Sequence, residues 1–93
     1  MSDAVVHDQL HQRFTLNANG VTALLKYHLE GNTIYFVHTE VPPEMEGKGI
    51  GGKLAKTGLE YARENGLKIV ARCPFVASYL ERHTEYQDLV AAD

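Results

Sequence analysis

The residues richest in chemistry lie in one short run, Glu46-Gly47-Lys48-Gly49-Ile50-Gly51-Gly52-Lys53. Phosphate oxygens must come close to main-chain N–H groups, and β-carbons would hold them off. Glycines at this density therefore suit a phosphate cradle. Lys48 and Lys53 flank the loop and could offset phosphate charge, and Lys56 extends the positive patch. A lysine on a surface helix is commonly just solvated, so direct contact falls to Lys48 first. Three further residues could attack carbon or move protons. Cys73 ends a strand and precedes Pro74, which is suited to open a helix, and the helix dipole favours thiolate there. His38 and Glu40 read as sharing one face of a strand with Ile34 and Phe36. Either could accept a proton, and histidine titrates in the physiological range. Each also has a plain alternative: Cys73 as a small buried hydrophobe, His38 as a satisfied strand residue, Glu40 as a solvated strand end.

These groups need elements to hold them. The first ten residues read as a short edge strand or a tail. His11 to Ala18 reads as a strand, followed by Asn19-Gly20, a two-residue hairpin turn whose positions both want positive φ. Val21 to Glu30 alternates, with Val21, Ala23, Leu25, Tyr27 and Leu29 on one face. Gly31-Asn32 makes a second turn. Thr33 to Val41 follows, apolar on both faces in its first half (Ile34 and Phe36; Tyr35 and Val37), as for a central strand covered on both sides. Pro42-Pro43 stops it. After the glycine loop, Lys53 to Asn65 reads as a helix, with Leu54, Ala55, Leu59 and Ala62 at helical spacing and Gly66 as its left-handed terminator. Leu67 to Arg72 is a strand, and Phe75 to His83 a short helix along Val76, Tyr79, Leu80 and His83. The last ten residues are too few for another helix, and Leu89-Val90 packs back on the core. Strand, helix and strand in succession imply a crossover and a parallel pair. The fold class is α/β (α+β): an antiparallel β-meander, a β-α-β crossover and a short C-terminal helix. The glycine loop lies between a strand's C-terminal end and a helix N-terminus, where unpartnered N–H groups and the dipole favour anions.

Composition narrows the classes. The 93 residues make one domain, 1–93, with ordinary hydrophobic (44%) and charged (23%) content. The net charge of −3 argues against a nucleic-acid binder. No apolar run nears the ~20 residues of a membrane span. Met1 to Asp8 has neither the basic region nor the apolar core of a signal peptide. One cysteine excludes an internal disulfide framework and fits a reducing cytoplasm. The carboxylates and histidines show no metal-ligand spacing. Strand edges in so small a sheet could pair, but nothing in the sequence requires an oligomer.

The loop satisfies three patterns. Gly47-x-Gly49-x-x-Gly52 matches a dinucleotide fingerprint, but it follows an antiparallel meander and the next strand ends in Arg72 rather than an acid. Gly47-x-x-x-x-Gly52-Lys53 is nearly a P-loop, but Leu54 stands where Ser or Thr should hold magnesium. The third pattern fits its context. Glu46-Gly47-Lys48-Gly49-Ile50-Gly51, between a strand and a helix, resembles motif A of the GNAT superfamily of N-acetyltransferases, Gln/Arg-x-x-Gly-x-Gly/Ala. Glu46 takes the Gln/Arg position and departs from it, so its side chain is expected to point away from a pyrophosphate. Gly49 and Gly51 take the two glycine positions. His38-Thr39-Glu40-Val41-Pro42-Pro43, Ala62-Arg63-x-x-Gly66-Leu67 and Cys73-Pro74-Phe75-Val76-Ala77-x-Tyr79 extend the resemblance over the whole chain, to the small GNAT subfamily of about 95 residues.

The resemblance implies a truncated GNAT fold, without the usual N-terminal substrate-binding helices and last two strands. It implies an acyl-CoA-dependent N-acyltransferase that uses acetyl-CoA and an amine acceptor, with a protein or peptide suited to an open acceptor side. A coenzyme A-binding or acyl-CoA-sensing module without turnover is the alternative, and an interaction domain in which the loop is only a turn is a third. The implied cofactor residues are Thr39, Val41, Gly47, Lys48, Gly49, Ile50, Gly51, Gly52 and Lys53. The Val41 N–H would polarise the acyl carbonyl. Cys73 would lie next to the thioester, as acyl-accepting nucleophile or as the acid for departing coenzyme A, with His38 or Glu40 taking the amine proton. The family's motif B tyrosine does not carry over, because the spacing of Tyr79 and Tyr86 does not match it. Both read better as packing residues with wet hydroxyls, and His83 as a cation complementing a helix C-terminus.

Overall fold

The computed structural model describes residues 4–91, and the reading of the first residues as a tail concerns residues 1–3 in part, which lie outside them. Five strands form one sheet in chain order: β1 (Val6–Asp8), β2 (Arg13–Ala18), β3 (Val21–Glu30), β4 (Thr33–Glu40) and β5 (Lys68–Ala71). The first four are antiparallel neighbours, and β4 and β5 run parallel from Thr33↔Lys68 to Phe36↔Ala71. The meander and the parallel crossover stand as expected. Asn19 (φ 55°) and Gly20 (φ 77°) supply the two left-handed residues that close β2 onto β3.

One face of the sheet is dry. Phe14, Leu16, Ala23, Leu25, Ile34, Phe36 and Ile69 are at most 1% exposed and lie under α1 (Ile50–Glu64) and α2 (Pro74–Arg82). In α1 the buried residues Ile50, Leu54, Ala55, Gly58, Leu59 and Ala62 make one stripe. A β-carbon on Gly58 would sit 2.8 Å from Phe36 Cε1 and 3.3 Å from Leu25 Cδ2, so glycine lets the helix settle on the sheet. The helix ends where Gly66 turns left-handed (φ 66°). The N–H of Gly66 donates to Arg63 C=O and that of Leu67 to Ala62 C=O, the paired bonds of a Schellman motif.

The other face carries no helix among the described residues, which corrects the expectation that β4 is covered on both sides. Tyr35 on that face is half-buried, and the Arg72 guanidinium lies 5.4 Å above its ring. Its aromatic character serves cross-strand contact rather than a second core.

Two boundaries also differ. The last residues form a 3-10 helix, Thr84–Leu89, where no helix was expected. Six residues suffice because side chains anchor them to α1: Tyr86 Oη donates to Glu60 Oε2 (2.5 Å), and Arg63 Nη2 meets Asp88 Oδ1 (3.1 Å) and Glu85 C=O (2.6 Å). The Tyr86 hydroxyl is thus bonded to protein rather than wet. Val90 does pack back: it bridges Ile69, and the Ala91 N–H donates to Ile69 C=O (2.9 Å). The second shift, the start of α1, bears on the site.

Candidate functional site

The site opens where β4 and β5 part. The Phe36 carbonyl accepts from the N–H groups of both Arg72 and Cys73 (2.9 Å each), and β5 then gives way to α2. β4 runs on to Glu40 with nothing paired to it on that side among the described residues. A bulge lies at this point. Tyr27 pairs with Phe36 and Lys26 with His38, so two steps on β4 oppose one on β3 and Val37 is the extra residue.

The bulge reverses the alternation of β4. Thr39, opposite buried Leu25, faces the helical side along with Phe36. His38, opposite exposed Lys26, and Glu40 face the bare side. The expectation that His38 and Glu40 share a face with Ile34 and Phe36 is therefore corrected. It assumed an unbroken period of two, and one inserted residue inverts every side chain beyond it. His38 Nε2 lies 4.0 Å from Glu40 Oε2 on that bare side. Ladder alternation also turns the backbone groups of Thr39 away from β3, toward the space β5 has left.

That space is a cleft of about 470 Å³. Thr39 and Val41 form one wall. Gly47, Gly49, Ile50, Gly51 and Gly52 form another, with Glu46 at the rim and Met45 and Phe75 completing it. Lys48 and Lys53 are exposed beside the loop and do not line the cleft. Met45, from a 3-10 turn (Pro43–Met45), and Phe75 were not expected there; a lone methionine and an aromatic after Cys73-Pro74 carry no pattern that marks a wall.

The glycines divide their work. Gly47 (φ 82°) and Gly49 (φ 73°) are left-handed, and Gly49 is the N-cap of α1. Gly51 and Gly52 lie inside the first turn, so α1 begins at Ile50, three residues before the expected Lys53. Glycine's low helix propensity masked this start, and tertiary packing overrides it. Ile50 is 4% exposed, and a β-carbon on Gly51 would come 2.7 Å from Phe75 Cζ. The first helical bond runs from the Lys53 N–H to Gly49 C=O (3.0 Å), and no side chain caps the helix. The N–H groups of Ile50, Gly51 and Gly52 precede that bond and point out of the helix end. Free donors at a positive dipole end, bordered by glycine, suit an anion.

Cys73 is the N-cap of α2, 4% exposed, with its Sγ 3.1 Å from Thr39 Oγ1. Thr39 lines the cleft and Cys73 stands directly behind it. Tyr79 is 7% exposed, burial raises its pKa first, and its ring stacks on His83 at 3.9 Å. Neither lines the cleft. Among the described residues no three His, Cys, Asp or Glu side chains gather as a metal site, and no helix is long and apolar enough to cross a membrane.

Comparison with known proteins gives the chain's family and fold. Residues 13–89 match the model of the GCN5-related N-acetyl-transferase family. The chain belongs to that family. Relatives include Protein NATD1 of Gallus gallus and of Homo sapiens, each 35% identical over 82 residues; the match covers 85% of this chain and 74% and 73% of theirs. Protein NATD1 of Danio rerio is 30% identical over 91 residues, covering 92% of this chain and 83% of its own. The solution NMR structure of a GCN5-like protein from Staphylococcus aureus superposes with a TM-score of 0.76 at 35% identity, covering 100% of this chain and 93% of that one. The GNAT resemblance and the mixed α/β fold thus both stand.

Proposed function

We propose that residues 1–93 form a single minimal acyltransferase domain that transfers an acetyl group from acetyl-CoA to an amine. The observation that carries this reading is the uncapped N-terminus of α1, entered through left-handed Gly47 and Gly49, beside the cleft where β4 and β5 part. Free N–H donors fit a pyrophosphate. Lys48 and Lys53 lie close enough in sequence to offset its charge. The backbone of Thr39 and Val41 offers edge partners for an extended pantetheine chain. When bound there, acetyl-CoA supplies an activated acyl group as a thioester.

The chain's own residues would serve that group in distinct ways. The Val41 N–H polarises the acyl carbonyl. Cys73, held by Thr39, would be either the acid that protonates the departing coenzyme A thiolate, or the nucleophile whose sulfur takes the acyl group as the coenzyme A thioester bond breaks, its proton passing to the departing thiolate. His38 and Glu40 sit on the bare side of β4, where an amine approaching from that side would shed its proton. His38 takes it, and Glu40 steadies the imidazolium. The open face suits an amine on a protein or peptide. An unpaired cysteine beside a thioester suits the reducing cytoplasm.

That same bare face favours a second reading, a coenzyme A-binding module that does not turn over. Release of free thiol from acetyl-CoA, with and without amines, separates the two. The reading as a whole rests on cofactor choice. Titrating labelled protein with acetyl-CoA should move the Val41, Gly47 to Gly52 and Cys73 amides, while ATP and NAD leave them in place. Unmoved resonances with acetyl-CoA would end both readings.

A further inference from the structure

The bare face holds a second recess of about 330 Å³, lined by His28, Glu30, Tyr35, Val37 and Arg72. Tyr35 is its floor. The neighbouring residues Ile34 and Phe36 are fully buried on the helical side, so Tyr35 faces out. Arg72 Cζ lies 5.4 Å over its ring. A guanidinium stacked in this way is fixed in place while its in-plane N–H donors stay available at the edge. Among the described residues no ion pair includes Arg72. The one acid of the recess, Glu30, lies 3.6 Å from His28 instead.

Arg72 also stands beside the reacting cleft. Its N–H and that of Cys73 donate to the same Phe36 carbonyl, at the point where the two strands separate. The chain then places consecutive side chains on opposite sides: Cys73 toward Thr39 and the helices, Arg72 toward Tyr35 and the open face. Arg72 thus borders, on the open face, the point where β4 and β5 separate.

Building on the acyltransferase reading, we propose that Arg72 is a specificity-determining residue that binds a carboxylate flanking the acceptor amine of a peptide. A monoanion fits better than a phosphate dianion, because Glu30 and Glu40 share the face. The recess is an open trough on a bare sheet with only five side chains around it, which suits a segment of a longer chain rather than an enclosed small molecule. Planar carboxylate matches the guanidinium fork in two parallel hydrogen bonds.

The test uses labelled full-length protein with coenzyme A present, titrated with terminally blocked Gly-Glu-Lys-Gly and Gly-Gln-Lys-Gly. The acidic peptide should bind about fivefold more tightly, the range of one well-placed exposed ion pair. It should also shift the Arg72 Nε–H and Val37 amide signals. Arg72→Gln should erase the difference between peptides while keeping acetyl-CoA affinity, and Arg72→Lys should retain only part of it. The same order should appear in kcat/KM when acetyl-CoA replaces coenzyme A. Equal affinity of the two peptides, or a preference that survives in Arg72→Gln, overturns the proposal even if turnover is normal. Arg72-dependent binding without acyl transfer supports the carboxylate site and instead overturns the acyltransferase reading.

Discussion

At the scale of single residues, substitutions at Gly49 and Cys73 test the proposed binding and the proposed chemistry separately. Gly49 holds φ 73° as the N-cap of α1. An L-residue pays about 1–2 kcal/mol in that region. Gly49→Ala should therefore lower stability by about that amount in denaturant titration, and weaken acetyl-CoA binding by roughly tenfold as the cradle distorts. Cys73→Ala should do the reverse: acyl transfer falls to background while acetyl-CoA affinity, read by isothermal calorimetry, is unchanged. Full turnover in Cys73→Ala would reduce the residue to packing. The left-handed turns at Gly47 and Gly49 were legible from sequence because positive φ is a local backbone demand, whereas Gly51 answers the Phe75 ring beside it. The side-chain direction of His38 and Glu40 was not. It depends on a bulge at Val37, and valine is as ordinary a residue in a regular strand as in an irregular one.

At the scale of elements, α1 follows the glycine loop and packs on the sheet through Gly58. Gly58→Ala sets two effects against each other. Helix propensity favours alanine by about 1 kcal/mol. Its β-carbon, however, would meet the fully buried Phe36 ring at 2.8 Å, and that ring has no solvent to swing into. Overpacking of this kind costs about 1–3 kcal/mol, so the variant should be less stable overall. Adding Phe36→Leu should recover part of the loss, which chemical denaturation of the single and double variants would show. The amphipathic stripe of α1 and the alternation of β3 were legible because their periods survive in the sequence. The start of α1 and the closing 3-10 helix were not. One depends on Phe75 packing over Gly51, the other on Glu60 and Arg63 reaching across from a distant helix.

At the scale of the molecule, two groups tie stability to pH from opposite sides. Tyr86 is 2% exposed, and burial, followed by its bond to Glu60, raises its phenol above the usual value of about 10. The fold favours the neutral phenol, so this contribution is complete below pH 10 and is lost as pH rises beyond it. Melting temperatures should drop above pH 10, and Tyr86→Phe should flatten that drop while costing about 1 kcal/mol at neutral pH. His7 accompanies β1. Its Nε2 lies 2.6 Å from Tyr27 Oη, and its ring stacks on Phe14 at 4.2 Å and meets Tyr61 at 4.4 Å. Burial lowers its pKa, with Asp8 opposing. The fold therefore favours neutral imidazole, so its contribution is complete above about pH 6.5 and wanes as pH falls below that. The protection factors of the Phe14 and Thr15 amides, taken against the unfolded-chain exchange rate at each pH, should fall between pH 7 and 5, and His7→Gln should abolish the trend.

Val37 gives β4 one residue more than its ladder with β3 can pair. An in-frame loss of that single codon would restore an uninterrupted ladder. The pairs Lys26–His38 and Leu25–Thr39 would stay in register, so Thr39 would keep the helical side and His38 and Glu40 the bare side. What the strand would lose is the bend and added twist that a bulge supplies at the point where it parts from β5; if the cleft needs that bend, a library of deletions scored separately for folding and for acetyl-CoA binding would place Val37 where the two scores diverge.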